Sequence, residues 1–255
     1  MTFERHLPDE PLRPWVESIL IVRAVEGLRN TLPPHTAPVL TYRLQGLTSV
    51  EFSDGERTIP RMGITGLNSG PRTILYHPGA SMLLVRFREA GAAGLVPVPL
   101  DELAGTSQGL DDLMAPTAAR DLEQRLDDAG DDVRKMQILQ GFLKERLVRP
   151  DPLVRESIRR IRQARGNLRM ADLWKDLPTN PDTLEKRFRR WVGTTPKLFA
   201  RIVRFQSLVD AYSPGTRLTE AAVRAGFYDH AHMVREFQAF TGQTPSAYLG
   251  QPRRW

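Results

Sequence analysis

The sequence predicts an α+β chain in two parts. A β-rich, barrel-like domain over residues 1–150, ending in helices, precedes an all-α domain over residues 151–255 that carries two helix-turn-helix units. Three observations lead there: short strands broken by turn residues up to about residue 88, a change to helical periodicity after residue 89, and a repeat at an offset of 49 residues in the last third.

The strands come first. Ser18–Ala24, Val39–Leu44, Ser49–Ser53, Arg72–Tyr76 and Met82–Phe87 are rich in β-branched, apolar and aromatic residues. Turn chemistry lies between them at Thr31–Pro34, Ser53-Asp54-Gly55 and His77-Pro78-Gly79. Further on, Leu110, Leu113 and Met114, then Leu122 and Leu126, then Val133, Met136, Ile138, Leu139, Phe142, Leu143 and Leu147 recur at helical spacing. Arg149-Pro150-Asp151-Pro152 is the expected boundary, because paired prolines favour extended backbone and the charge balance reverses there. Residues 1–150 hold 17 Lys+Arg against 20 Asp+Glu, whereas residues 151–255 hold 19 against 10. A basic excess confined to one part points to a polyanionic partner for that part.

In the repeat, Leu184-Glu185-Lys186-Arg187-Phe188, Gly193, Pro196 and Phe199 correspond to Met233-Val234-Arg235-Glu236-Phe237, Gly242, Pro245 and Tyr248. Upstream of each copy lies a short helix and a turn: Met170–Asp176 with Leu177-Pro178-Thr179, and Thr219–Ala225 with Gly226-Phe227-Tyr228. A short helix, a turn and a second helix is the arrangement that presents the second helix to a DNA major groove. Asn180 and Asp229 suit the N-caps, with Pro181 at the first helical position. Leu184, Phe188 and Trp191 are expected to be buried in the first unit, and Met233, Phe237 and Phe240 in the second. Gly226 is expected at positive φ.

These residues resemble the AraC/XylS family of transcription regulators. Leu218–Leu249 follows the family's second helix-turn-helix signature at Ala222, Gly226-Phe227, Arg235…Phe237, Gly242-x-Thr244-Pro245 and Tyr248. The first unit matches at Leu184, Arg187-Phe188, Gly193 and Pro196-Lys197, and departs at Trp174 and Pro178. The resemblance implies seven helices from about Pro152 to Leu249, a rigid helix from Pro196 to about Ala211 bridging the units, and recognition helices in two successive major-groove segments of double-stranded DNA. By motif position the base-facing residues are Asp182, Glu185 and Lys186, then His230, Ala231 and Arg235, with Arg189 and Arg190 added as DNA contacts. Arg235 suits a guanine edge, and Glu185 either accepts from cytosine or pairs with Arg189. Partners compatible with this reading are RNA polymerase, a small-molecule effector of unassigned identity and a second copy of the chain.

Residues 6–114 resemble an uncharacterised sensor-like domain that often precedes this DNA-binding domain, through Leu12-x2-Trp15-Val16 and Leu84–Leu113. Ligand candidates there are His35, Tyr42 and Arg86, with Arg43 and His77 also polar; Arg86 on an apolar strand could anchor a carboxylate. No third histidine accompanies His35 and His77, so no metal is assigned. The chain has no cysteine, which excludes disulfides and the acceptor thiol of repair proteins that carry similar helices. It also lacks a nucleophile elbow, a Walker loop and a dinucleotide fingerprint. No catalytic residue or cofactor is therefore expected, and an enzyme fused to a DNA-binding module is the weaker alternative. A regulator controlled by a protein partner or by its own abundance stays open. No apolar signal core opens the sequence, so the cytoplasm is the expected compartment.

Overall fold

The apolar run of strand β2 (Val16–Ala24) is buried on both faces, and this organises the N-terminal part. Leu20 and Val22 point into one core and Ile19 and Ile21 into another, as the period of two along a strand requires. The computed structural model describes residues 1–213, 217–227 and 229–250.

The strands are β1 (Thr2–His6), β2, β3 (Leu28–Leu32), β4 (Val39–Gln45), β5 (Thr48–Phe52), β6 (Gly55–Thr58), β7 (Met62–Thr65), β8 (Arg72–Tyr76), β9 (Ala80–Phe87) and β10 (Ser107–Gly109). They form a six-stranded sheet in the order β1-β2-β9-β4-β7-β10 and a four-stranded sheet in the order β3-β8-β5-β6. Every described strand pairing is antiparallel. Leu20, Val22, Met82 and Leu84 from the larger sheet meet Val50, Ile74 and Tyr76 from the smaller. On its other face the larger sheet presents Leu40, Tyr42, Ile64, Leu83 and Val85 to helices α1 (Leu110–Leu113), α2 (Pro116–Asp127) and α3 (Asp132–Arg146). The β-rich part is thus two facing sheets that do not close, covered by helices on one side.

Each strand expected from sequence is present within a few residues. The Thr31–Pro34 turn needs correction, because Thr31 and Leu32 belong to β3. Thr31 Oγ1 lies 2.9 Å from Thr73 Oγ1 across the β3–β8 pair, a cross-strand threonine contact that favours the strand. The short strands β1, β6, β7 and β10 were not anticipated; β6 is exposed at all four positions and carries no alternation to read.

Helix α4 (Pro152–Gln163) starts on Asp151, whose carboxylate accepts from the Leu153 and Val154 amides. It is followed by α5 (Met170–Trp174), α6 (Pro181–Val192), α7 (Pro196–Ala211), α8 (Leu218–Arg224), α9 (His230–Thr241) and α10 (Pro245–Leu249). Seven helices among the described residues, spanning Pro152 to Leu249, is the number and extent that the resemblance implied. No described helix is long and apolar enough to cross a membrane.

Candidate nucleic-acid interface

The two candidate recognition helices are built alike. Asn180 Oδ1 accepts from the Thr183 amide at 2.8 Å to start α6, and Asp229 Oδ1 accepts from the Ala231 amide at 2.9 Å to start α9. Both helices end on a left-handed glycine, Gly193 at φ 90° and Gly242 at φ 71°, each donating back to the last turn at 2.8 Å. Thr195 and Thr244 then cap the following helices. Sequence reasoning placed the two N-caps, Asn180 and Asp229; the glycine C-caps and the threonine caps are read from the structure.

The turns within the units differ in one respect. Gly226 lies two residues after α8 at φ 83°, as expected. The residue two beyond α5 is Asp176, and it adopts φ 63°. Aspartate is among the few side chains that tolerate this region. Pro178 lies beyond the left-handed position, so its fixed φ creates no conflict. Tyr228, part of the second turn as read from sequence, lies outside the described residues.

The buried faces are Leu184, Phe188 and Val192 on α6, and Met233, Phe237 and Phe240 on α9. Trp191 is only partly buried; Val192 takes the deep position and the indole packs at the rim of that core. Asp182, Lys186, Arg189, Arg190, His230, Ala231 and Arg235 are exposed, and Glu185 is half-buried. Glu185 is engaged within its own helix, accepting from Arg189 Nε at 3.1 Å and Nη2 at 2.9 Å. Arg235 is held loosely, 3.9 Å from Asp229, with both side chains largely exposed. Its guanidinium is therefore available to a ligand, whereas Arg189 must first leave a carboxylate.

Helix α7 bridges the units. From it Arg201 Nε donates to Glu236 Oε1 at 2.8 Å, and Arg204 Nη2 donates to both Glu236 oxygens at 2.9 and 3.1 Å. The Glu236 side chain is 2% exposed although it sits on α9 beside the exposed Arg235. This triad was not anticipated, but the sequence holds the signal: Glu236 is three residues after Met233 and four before Phe240, inside the apolar stripe.

The N-terminal part touches the two units unequally. Ala90 is buried among Val154, Leu173, Phe188 and Phe199 of the first unit's core. Glu89 pairs with Arg162 of α4, and Thr36 joins them, donating to Glu89 at 3.2 Å and accepting from Arg162 at 3.0 Å. A Cβ on Gly193 would stand 3.1 Å from the Leu100 carbonyl oxygen. The second unit meets the N-terminal part at Gly70 and Pro71, close to Ala239 and Gly242.

Of the N-terminal ligand candidates, His35 and Arg86 line a cavity of about 110 Å³ between the sheets. Burial, and then the neighbouring Arg86 charge, lowers the His35 pKa to about 4. Tyr42 is not there. Strand alternation turns Val39 and Thr41 toward the cavity and Leu40 and Tyr42 toward the helices, where the Tyr42 hydroxyl donates to Asp127. Burial raises the Tyr42 pKa, with the Asp127 carboxylate adding to the shift. His77 lies on the β8–β9 turn with Nε2 2.8 Å from Glu56, and Arg43 is part of β4. Arg72 lines the same cavity and was missed as a candidate. Among the described residues no group of three or more His, Asp or Glu could hold a metal ion.

Residues 173–251 match a family described as a helix-turn-helix domain, which covers the second unit and the first from the end of α5 onward. Those residues form an AraC-type helix-turn-helix domain. With this AraC-type domain at its C-terminal end, the chain is a DNA-binding transcription regulator. A search of curated protein sequences finds no match. In fold the whole chain is similar to ToxT from Vibrio cholerae, with a TM-score of 0.51 at 12% identity over 98% of each chain. A second ToxT structure, bound to (E)-4-(8-methylnaphthalen-1-yl)but-3-enoic acid, gives 0.52 at 11% identity over 98% of this chain and 99% of that one. The fold shared with ToxT is a β-rich part followed by a helical part.

Proposed function

We propose that residues 151–255 read double-stranded DNA by laying α6 and α9 in two successive major-groove segments, while residues 1–150 sense an effector or hold two copies together. Asp182, Glu185 and Lys186 face bases from α6, and His230, Ala231 and Arg235 from α9. Arg189 and Arg190 sit toward phosphate. The observation that carries this reading is the pair of helices with matching caps at an offset of 49 residues, each with an exposed polar face opposite a buried stripe. Arg235 is held only by a 3.9 Å contact to Asp229, and a guanidinium can bond a guanine edge in bidentate fashion. The cavity between the sheets is the place for a small-molecule effector, and ToxT's recorded acid ligand supports looking for one there. RNA polymerase is the downstream partner, the working compartment is the cytoplasm, and no catalytic step is assigned.

Binding of the full chain to random and selected duplexes over a range of salt concentrations tests the proposal. Affinity should fall with salt at a log–log slope of about −0.9 for each phosphate contact. Footprints should lie about 10 base pairs apart, on one face of the duplex. Salt-independent binding, or a single footprint, would overturn it.

A further inference from the structure

The cavity between the two sheets has mostly apolar walls, with a few neutral polar groups such as Asn68 and Thr65, and its charge is of one sign. Leu20, Ile59, Ile74, Met82 and Leu84 supply apolar surface, and no acidic residue lines it. Its volume of about 110 Å³ is several times what one water needs. The two charged groups on its lining are Arg86 and Arg72. Arg86 faces Glu17, 3.5 Å away on β2, so its charge has a partner. Arg72 has no carboxylate within ion-pair distance among the described residues. It is 8% exposed, its Nη2 donates to the Gly105 carbonyl at 2.6 Å, and its Nη1 has no partner. A guanidinium withdrawn from water with a donor unused and no counterion is destabilising, and an anion arriving in the apolar space would offset that cost.

Arg72 also stands at a junction. It begins β8, directly after Gly70 and Pro71. A Cβ built on Gly70 would lie 3.4 Å from the Ala239 carbonyl oxygen, and one on Gly242 would lie 3.9 Å from Pro71 Cγ. Ala239 and Gly242 are the last turn and the C-cap of α9. Any shift of Arg72 toward a bound anion therefore acts within two residues of the contact with the second recognition helix.

We infer that the cavity binds an amphipathic carboxylate, its head group on Arg72 and its hydrocarbon body between the sheets, and that occupancy is relayed through Gly70 and Pro71 to α9. This rests on the effector reading above and assigns its chemical class, its anchor and its route. His35, on the cavity wall, is a neutral imidazole at neutral pH and offers a hydrogen bond without competing for the anion.

The test uses the full chain with octanoate, octanol and octylamine as probes, followed by melting temperature and by affinity for a selected operator duplex. Octanoate in hundredfold excess over its Kd is expected to raise the melting temperature by several degrees through mass action, with octanol and octylamine giving less than half of that. Arg72→Gln should abolish the octanoate shift. Because that variant also loses the bond to Gly105, Leu84→Trp provides a second arm that fills the cavity and leaves Arg72 in place; it too should abolish the shift. In the wild-type protein, octanoate labelled at its carboxyl carbon should stay ionised when bound, titrating at lower pH than the free acid. Operator affinity should change by about fivefold or more on saturation with octanoate. Equal stabilisation by octanol would overturn the carboxylate class, since the cavity would then be selecting hydrocarbon alone. Stabilisation with no change in operator affinity would overturn the relay and keep the ligand. Failure to bind any duplex both with and without octanoate would instead sink the DNA-binding reading.

Discussion

Glu236 of α9 is buried between Arg201 and Arg204 of α7, so the second recognition helix is tied by charge to the helix that bridges the two units. The arginines are further fixed by aromatic faces, Arg201 over Phe240 at 5.2 Å and Arg204 over Phe227 at 4.9 Å. Removing one member leaves buried charge without its partner. Glu236→Gln is expected to cost about 2–4 kcal/mol, at the lower side of what breaking a buried pair does because Arg201 is partly open to solvent. Chemical denaturation measures this. Operator binding should fall together with stability, and a variant with unchanged midpoint would show that the triad is replaceable.

Gly226→Val should destabilise the second unit by about 2–3 kcal/mol. The backbone there is at φ 83°, and a Cβ would meet the Asn167 side chain at 2.6–3.0 Å. Asp176→Val should cost about 1–2 kcal/mol, since only the left-handed conformation opposes it. Pro178→Val should be the mildest of the three. Thermal unfolding of the three variants checks the order, and a larger loss at Pro178 than at Gly226 would contradict the assignment of the turns.

The recognition residues divide into one that specifies and one that positions. Arg235→Ala should cost about 1–3 kcal/mol at a single base pair and relax discrimination there. Lys186 stands at a base-facing position, but its flexible ammonium can turn to the adjacent phosphate; Lys186→Ala should then lower affinity evenly across operator variants, because phosphate contacts carry no sequence information. Binding to single-base variants of the operator separates the two patterns; the reverse result would exchange the roles.

His35 gives the N-terminal part a pH dependence. Its folded pKa of about 4 lies below the ordinary 6.5, so the unfolded chain takes up a proton in that interval while the folded chain does not. Stability should therefore fall as pH drops from about 6.5 toward 4, with no further loss from this group below that. Each unit of displacement corresponds to about 1.4 kcal/mol, lessened here because the residue as a whole is only half-buried. His35→Gln should flatten that stretch of the stability curve, and an unchanged curve would place the ring in water.

The C-terminal part was legible because its signals are local. Asn180, Asp229, Gly193 and Gly242 each act within four residues of themselves, and the stripes of Leu184-Phe188 and Met233-Phe237-Phe240 follow one period. Glu236 escaped because its charge argued for water while its position argued for burial, and the partners that reconcile the two lie more than 30 residues away. In the N-terminal part the parity of each strand was available but unused. Arg72, Ile74 and Tyr76 alternate onto one face of β8, and Met82, Leu84 and Arg86 onto one face of β9, which together describe the cavity wall. The same parity excludes Tyr42. Which two faces oppose each other depends on strand order, and the β2-β9-β4 neighbours are too far apart in sequence for local patterns to reveal it.

The unequal attachment of the two units sets what can be exchanged. Helix α6 ends against Leu100 at Gly193, and its core includes Ala90, so a first unit borrowed from another regulator would have to fit a surface it did not co-evolve with. Helix α9 meets the N-terminal part only at Gly70 and Pro71 among the contacts described, through small groups and backbone. Operator preference is accordingly easier to reprogram in the half-site under α9. A library varied at His230, Ala231 and Arg235 can be selected for new sequences without redesigning the rest of the chain, provided Glu236 is left alone.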